Sequence, residues 1–102
     1  MSAPYSHAVF AEHIETVFRL PAVGGPLALE LIEVSAQREN GPFDSFSIVL
    51  RGPAGTYIPQ ANYCFEHDAL GDIELFIVPI RQDQQGLYYE AAFNILHAEV
   101  AA

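Results

Sequence analysis

The sequence predicts an all-β fold in the main, with about six mostly antiparallel strands in a small barrel or a two-sheet sandwich and one short N-terminal helix. Short segments of alternating apolar and polar residues recur along the chain, bounded by Gly, Pro, Asn and Asp. The stretch from Asn62 to Ile95 has the pattern of two consecutive hairpins, each closed by a glycine. So many strands in so short a chain usually curl into a barrel or pack as two sheets.

The chain opens with a helical pattern that gives way to a strand. Apolar residues recur at helical spacing after Ser6, a candidate N-cap, which predicts one or two helical turns from about Ser6 to Ile14. The β-branched and aromatic run from Thr16 to Leu20 predicts a first strand, and the Pro- and Gly-rich residues 21–26 end it. A first hairpin is therefore expected here.

The next two strands are separated by a polar segment. Apolar residues alternate from Leu27 to Leu31, but their phase reverses over Ile32 to Val34, which predicts a bulge or bend near Leu31. Residues 37–44 are polar and contain the turn signal Asn40-Gly41-Pro42, so we expect a loop. A strand of alternating apolar residues follows to Leu50.

The last part of the chain predicts the two hairpins, after an irregular connection over residues 52–61 that is rich in Gly and Pro. Asp68 is expected to start the first turn, and Gly71 is expected to close it with a positive φ. Strand alternation predicts a core containing Phe46, Ile48, Leu50, Phe65, Leu75, Ile77 and Phe93.

Composition limits the classes of partner. The 102 residues have room for one domain, residues 1–102, and 51% of them are hydrophobic. The net charge is -9, and four arginines without any lysine cannot build a basic face, so neither nucleic acid nor membrane is expected as a partner. No signal peptide is evident, and the longest apolar run is too short to span a bilayer. We expect a soluble, cytoplasmic protein.

The best candidate for a chemical cluster is Glu66-His67-Asp68 with Asp72 close behind, since His and carboxylates can form a metal site or an acid/base pair. In a strand, however, Glu66 and His67 point to opposite faces, so a structural role is favoured. Whether Glu66, His67, Asp68 and Asp72 bind a cation stays open.

The remaining candidates are weaker. Cys64 lies mid-strand without the helix terminus that activates a thiol, which favours a packing role. His7, His13 and His97 have no partner at ligand spacing. The sequence therefore nominates no catalytic, cofactor-binding or metal-binding residue and no cofactor.

Three segments resemble the signatures of an uncharacterised family of small bacterial β-rich proteins of about this length. They are Phe46 to Pro53, Tyr63 to Gly71 and Tyr89 to Asn94, and the similarity runs from about Phe10 onward. The resemblance implies no established activity and carries over no catalytic residue. It implies genes that often lie beside those for phage-tail-collar-like proteins.

The leading hypothesis is a non-enzymatic structural or protein-interaction module, an accessory component of a phage-tail-like bacterial assembly. We expect a protein partner that docks on a sheet edge or an apolar patch, and a homo-oligomer is left open. An alternative hypothesis is a small-molecule-binding β-barrel with weak enzymatic activity, its pocket lined by Tyr57, Tyr63, Tyr88 and Tyr89. A third is a divalent-metal protein using His67, Asp68 and Asp72.

Overall fold

The computed structural model describes residues 7–21, 27–41 and 43–96. The predicted N-cap Ser6, the Gly24-Gly25 pair and His97 lie outside these residues. The helix and strands are α1 His7–Ala11, β1 Val17–Leu20, β2 Leu27–Val34, β3 Arg38–Asn40, β4 Phe43–Gly52, β5 Ala61–His67, β6 Gly71–Asp83 and β7 Gly86–Leu96.

Six strands form a closed antiparallel barrel in the order β1-β5-β6-β7-β4-β2. Pairing of β2 with both β1 and β4 completes the ring. The short strand β3 lies outside the ring and pairs with the first residues of β4. Because the ring of strands is closed, the fold is the barrel and not the two-sheet sandwich. Closure also removes the long open edges on which the expectation of docking at a sheet edge rested, because a closed ring leaves few unpaired strands.

Two local predictions about β2 to β4 had different outcomes. The bulge near Leu31 is confirmed, since the pairing register of β2 with β4 shifts between Leu31 and Glu33. The loop expected over residues 37–44 is wrong, because Arg38–Asn40 pairs with the start of β4 in a hairpin around Gly41. This hairpin extends beyond the ring and has no core face, so its polar sequence does not show the alternation of a half-buried strand.

The barrel interior is filled by side chains from every strand of the ring. Six of the seven predicted core residues are buried, and Phe93 is partly buried against them. The largest side chains with less than 2% exposure are Tyr89, Phe10, Phe18, Phe65, Leu29, Leu31, Ile48, Leu50, Ile73, Leu75 and Ile77. Burying this much apolar surface is the main source of stability in a domain of this size.

Each end of the barrel is covered by a different segment. At one end, the helix end, α1 places the fully buried Phe10 among the core side chains. At the other end, the loop end, residues 53–60 join β4 to β5, which lie on opposite sides of the ring. Ile58 from this connection is buried in the core. The molecule therefore has a helical cover on one mouth and an irregular one on the other.

Candidate functional site

The helix end contains a buried histidine whose two ring nitrogens are both engaged. His67 ends β5 with its ring inside the barrel and is 5% exposed. Its Nδ1 accepts hydrogen bonds from the backbone N–H groups of Ala69 at 3.0 Å and Leu70 at 3.1 Å. Its Nε2 lies 2.8 Å from the hydroxyl of Thr16. His67 thus joins the β5–β6 turn to the segment that follows α1.

This hydrogen-bond pattern fixes the protonation of the ring. Backbone N–H groups can only donate, so Nδ1 must carry a lone pair. The Thr16 hydroxyl donates its one proton to the carbonyl of His13, so it must accept a proton from Nε2. His67 is therefore neutral, with its proton on Nε2. A second proton would occupy Nδ1 and displace both turn N–H groups.

The surroundings of His67 also disfavour the charged ring. Burial lowers the pKa of His67 below its ordinary value, and the nearby His13 lowers it further. Asp68 acts in the opposite direction, and Arg19 adds a smaller lowering effect. Geometry and pKa direction agree that neutral His67 belongs to the folded protein.

Aromatic and imidazole rings continue from His67 across the helix end. The ring centroid of His67 lies 4.5 Å from that of Phe18 and 5.2 Å from that of His13. Phe10 contacts Phe18, Phe46 and Phe93, with centroid separations of 6.4, 6.0 and 5.2 Å respectively. The helix thus covers an aromatic cluster of Phe10, Phe18, Phe46 and Phe93.

The other two described histidines are satisfied side chains. His13 donates through Nδ1 to the carbonyl of Val9 at 2.7 Å, and His7 donates through Nε2 to the carbonyl of Ser35 at 2.9 Å. His7 therefore holds the start of α1 against the β2–β3 connection. The sequence suggested no ligand role for either residue, and the hydrogen bonds give each a structural one.

The four residues of the candidate cation cluster do not converge. His67 points into the barrel, whereas Glu66 and Asp72 are exposed on the outer surface and lie opposite each other across β5 and β6. Asp68 is also exposed and accepts a hydrogen bond from Arg19 at 2.9 Å. The opposite orientation of Glu66 and His67 is confirmed. Asp68 begins the β5–β6 turn, as expected, but the side chain that accepts the turn N–H groups is that of His67.

The outer surface of β5 and β6 forms a second distinctive region. Three cross-strand pairs there are exposed: Asn62 with Phe76, Cys64 with Glu74, and Glu66 with Asp72. We call these six residues the acidic face. The phenyl ring of Phe76 is 46% exposed, and Ile80 farther along β6 is 41% exposed. The acidic face thus carries three carboxylates, with an exposed aromatic side chain at one end, next to Glu74.

Cys64 lies at the centre of the acidic face. Its thiol is free and exposed, so the packing role expected of it is wrong. The reason is strand alternation. Phe65 occupies the core, so its neighbour Cys64 must point outward.

The four tyrosines of the small-molecule hypothesis divide between two places. Tyr89 is buried at the loop end, where its hydroxyl accepts from the N–H of Ile58 at 3.0 Å. Tyr63 donates to the carbonyl of Pro59, and Tyr57 is 62% exposed nearby. Tyr88 is 3% exposed but lies outside the core cluster, with the guanidinium of Arg81 4.1 Å from its ring centroid. Two of the hydroxyls therefore bind the backbone of the loop cover.

Comparison with known proteins identifies a family. The model of a family described as Domain of unknown function (DUF6916) matches residues 5–93. The chain belongs to this family. An uncharacterised family was expected from the resemblance, and the DUF6916 match agrees with that coarse expectation. No curated protein and no solved structure matches the chain.

Over the described ranges, no three His, Cys, Asp or Glu side chains come together as a group that could hold a metal ion. Within the same part of the chain, no helix has the length and apolar character needed to cross a membrane.

Proposed function

We propose that this DUF6916 protein is a non-enzymatic protein-interaction module that docks its acidic face onto a basic partner protein. We further propose that it serves as an accessory component of a phage-tail-like bacterial assembly, a role suggested by the family resemblance of the sequence. The observation that carries the docking proposal is the exposed side chain of Phe76 on the same outer face as the carboxylates of Glu66, Asp72 and Glu74.

The physical argument begins with Phe76. Aromatic residues are enriched in the buried centres of protein interfaces, where a few side chains contribute most of the binding energy. Phe76 is 46% exposed on a regular strand whose own core positions are filled by Ile73, Leu75 and Ile77. Its ring therefore contributes little to folding and is available to a partner.

Charge defines the chemistry of that partner. Glu66 lies directly opposite Asp72, and like charges in this arrangement destabilise a sheet. Arg19 is beside Glu66 in the sheet but makes its ion pair with Asp68. Lysine or arginine side chains of a partner would relieve the repulsion. The net charge of -9 would also speed the encounter with a basic surface.

A pull-down from the native host tests the proposal with two matched variants. Phe76→Ser removes the exposed ring of the acidic face, and Phe43→Ser removes a ring of similar exposure, 37%, at the start of β4. We expect Phe76→Ser to weaken partner binding by about tenfold or more, as truncation of an interface anchor does. Phe43→Ser should bind like the unaltered protein.

Salt supplies the second measurement. Binding should weaken as salt rises from about 0.05 M to about 0.5 M, because ions screen the attraction between the carboxylates and a basic partner. A protein that stays monomeric, without a partner and without salt dependence, would contradict the proposal. Self-association that resists Phe76→Ser would favour a homo-oligomer instead. A small molecule that co-purifies with the barrel would favour the ligand-binding alternative.

A further inference from the structure

The turns of the two terminal hairpins are held by different side chains. A histidine accepts the turn N–H groups in β5–β6, and an aspartate accepts one in β6–β7. In the β6–β7 turn, the Asp83 carboxylate accepts the N–H of Gln85, two residues ahead, at 2.8 Å. In the β5–β6 turn, Nδ1 of His67 accepts the N–H of Ala69, also two residues ahead. A carboxylate keeps its acceptor oxygens above about pH 4, whereas an imidazole loses its acceptor when it is protonated nearer neutrality.

The same imidazole holds the cover of the helix end. Its Nε2 donates to Thr16, and the Thr16 hydroxyl donates to the carbonyl of His13 in the turn after α1. The helix has five residues, which is too short to be stable without such tertiary contacts. Beneath it lies the aromatic cluster headed by the fully buried Phe10.

Charged groups around the ring add to this sensitivity. His13 approaches from the turn after α1, and Arg19 acts from β1. His67 lines a groove of about 380 Å³ together with Glu15 and with Asp68 of the β5–β6 turn. Asp68 is engaged by Arg19, and Glu66 and Asp72 lie on the opposite surface of the sheet. His13 and Arg19 therefore both disfavour a charge on His67, while Asp68, which favours it, is engaged by Arg19.

We propose that His67 is a pH-operated latch: protonation of its Nδ1 releases the β5–β6 turn and α1 together and exposes the aromatic cluster of the helix end. The proton displaces the N–H groups of Ala69 and Leu70, so the ring must turn away from the β5–β6 turn, and this movement also withdraws Nε2 from Thr16. The rest of the barrel keeps its β4–β7 ladder, which runs over the full length of β4. The opening is thus local.

Hydrogen exchange on the intact protein tests the latch. Protection factors, which divide out the intrinsic pH effect, are compared between about pH 7.5 and about pH 5. We expect protection of α1 and of residues 67–71 to fall by about tenfold for each pH unit as pH drops from about 6.5, the ordinary histidine pKa, toward the lower pKa of folded His67. Protection of β4 and β7 should hold. Loss of protection throughout the barrel, or none at the helix end, would overturn the proposal.

Three variants test whether the imidazole of His67 causes the pH dependence. Asn at position 67 retains an acceptor near the Nδ1 position, and Gln retains a donor near the Nε2 position, but neither titrates. Both His67→Asn and His67→Gln should abolish the pH dependence at the helix end. The control His7→Asn removes the histidine at the other end of α1 and should keep that dependence. A pH-dependent opening that survives in a folded position-67 variant would refute the latch.

The unaltered protein gives an independent measurement. NMR chemical shifts of the His67 ring nitrogens should report the Nε2-protonated neutral form at about pH 7.5, and the transition to the charged form should coincide with the loss of protection in α1. A ring that is already charged at that pH, or that titrates while α1 stays protected, would overturn the proposal without any substitution.

Discussion

At the scale of single residues, two glycines with positive φ close the two terminal hairpins under different constraints. Gly71 has a φ of 74°, as the turn pattern predicted, and a Cβ there would meet open space. Gly86 has a φ of 154°, and its Cβ would lie 2.2 Å from the carbonyl oxygen of Gly52. Gly71 is thus required only by its backbone conformation, whereas Gly86 is required also by the close approach of β4.

This difference predicts unequal effects of alanine. Gly71→Ala should lower the free energy of unfolding by about 1–2 kcal/mol, the cost of a left-handed conformation for a residue with a Cβ. Gly86→Ala should lower it by more, because the backbone of Gly52 must also move. Urea unfolding of the two variants measures the difference. Equal losses would show that the contact with Gly52 is not restrictive.

Glu15 is the one non-glycine residue with a positive φ, 74°, within the described part of the chain. It follows α1, and its N–H donates to the carbonyl of Leu31 at 2.7 Å. Glu15→Gly should relieve the conformational strain and leave stability unchanged or slightly higher, within about 1 kcal/mol. Glu15→Val should destabilise by more, since branching at Cβ worsens this conformation. Thermal unfolding compares them, and a stable Glu15→Val variant would contradict the assignment.

At the scale of elements, the loop cover depends on one buried hydroxyl. Tyr89 accepts the N–H of Ile58 and donates to the carbonyl of Thr56, so it ties residues 53–60 to β7. Burial raises the pKa of Tyr89, which keeps the hydroxyl protonated and able to donate.

Tyr89→Phe should therefore loosen the loop end without emptying the core. The ring remains, but the buried N–H of Ile58 loses its acceptor, which costs about 1–3 kcal/mol. Hydrogen exchange should show faster exchange of Ile58 with unchanged rates in β5 and β6. Exchange rates unaltered at Ile58 would mean that the hydroxyl does not hold the cover.

Elements with a core face were predictable from the sequence, and others were not. The reversed apolar phase in β2 located its bulge, because side-chain alternation records which face is buried. The β3–β4 hairpin leaves no such record, since it projects from the barrel. The bond between Thr16 and His67 was also missed, because it joins residues 51 positions apart. The Asn40-Gly41 pair was the one sequence signal for the β3–β4 hairpin.

At the scale of the whole molecule, stability should depend on pH through His67. Its pKa is lowered in the folded state, so the unfolded chain binds the proton more readily. The contribution is complete above about pH 6.5, the ordinary histidine pKa, and is lost as pH falls from there toward the pKa of folded His67. Urea unfolding should therefore give a smaller free energy at about pH 5.5 than at about pH 7.5.

Asp83 provides the contrast in the same measurement. The backbone hydrogen bond from Gln85 is the main cause that lowers the pKa of Asp83, so its contribution persists above about pH 4 and is lost only as pH falls through its folded value. His67→Asn should flatten the pH dependence between about pH 7.5 and about pH 5.5, whereas Asp83→Asn should leave it unchanged. The reverse result would show that another group controls stability near neutrality.

The central claim, that the acidic face binds a partner protein, can be tested without altering the sequence. Cys64 is the single cysteine of the chain and is exposed at the centre of that face, so a photo-activated cross-linker can be attached there specifically. We expect adducts with the partner at low salt, a falling yield as salt rises, and slower alkylation of the Cys64 thiol in the complex. A partner that binds tightly while Cys64 forms no adducts and is alkylated at an unchanged rate would contradict the claim.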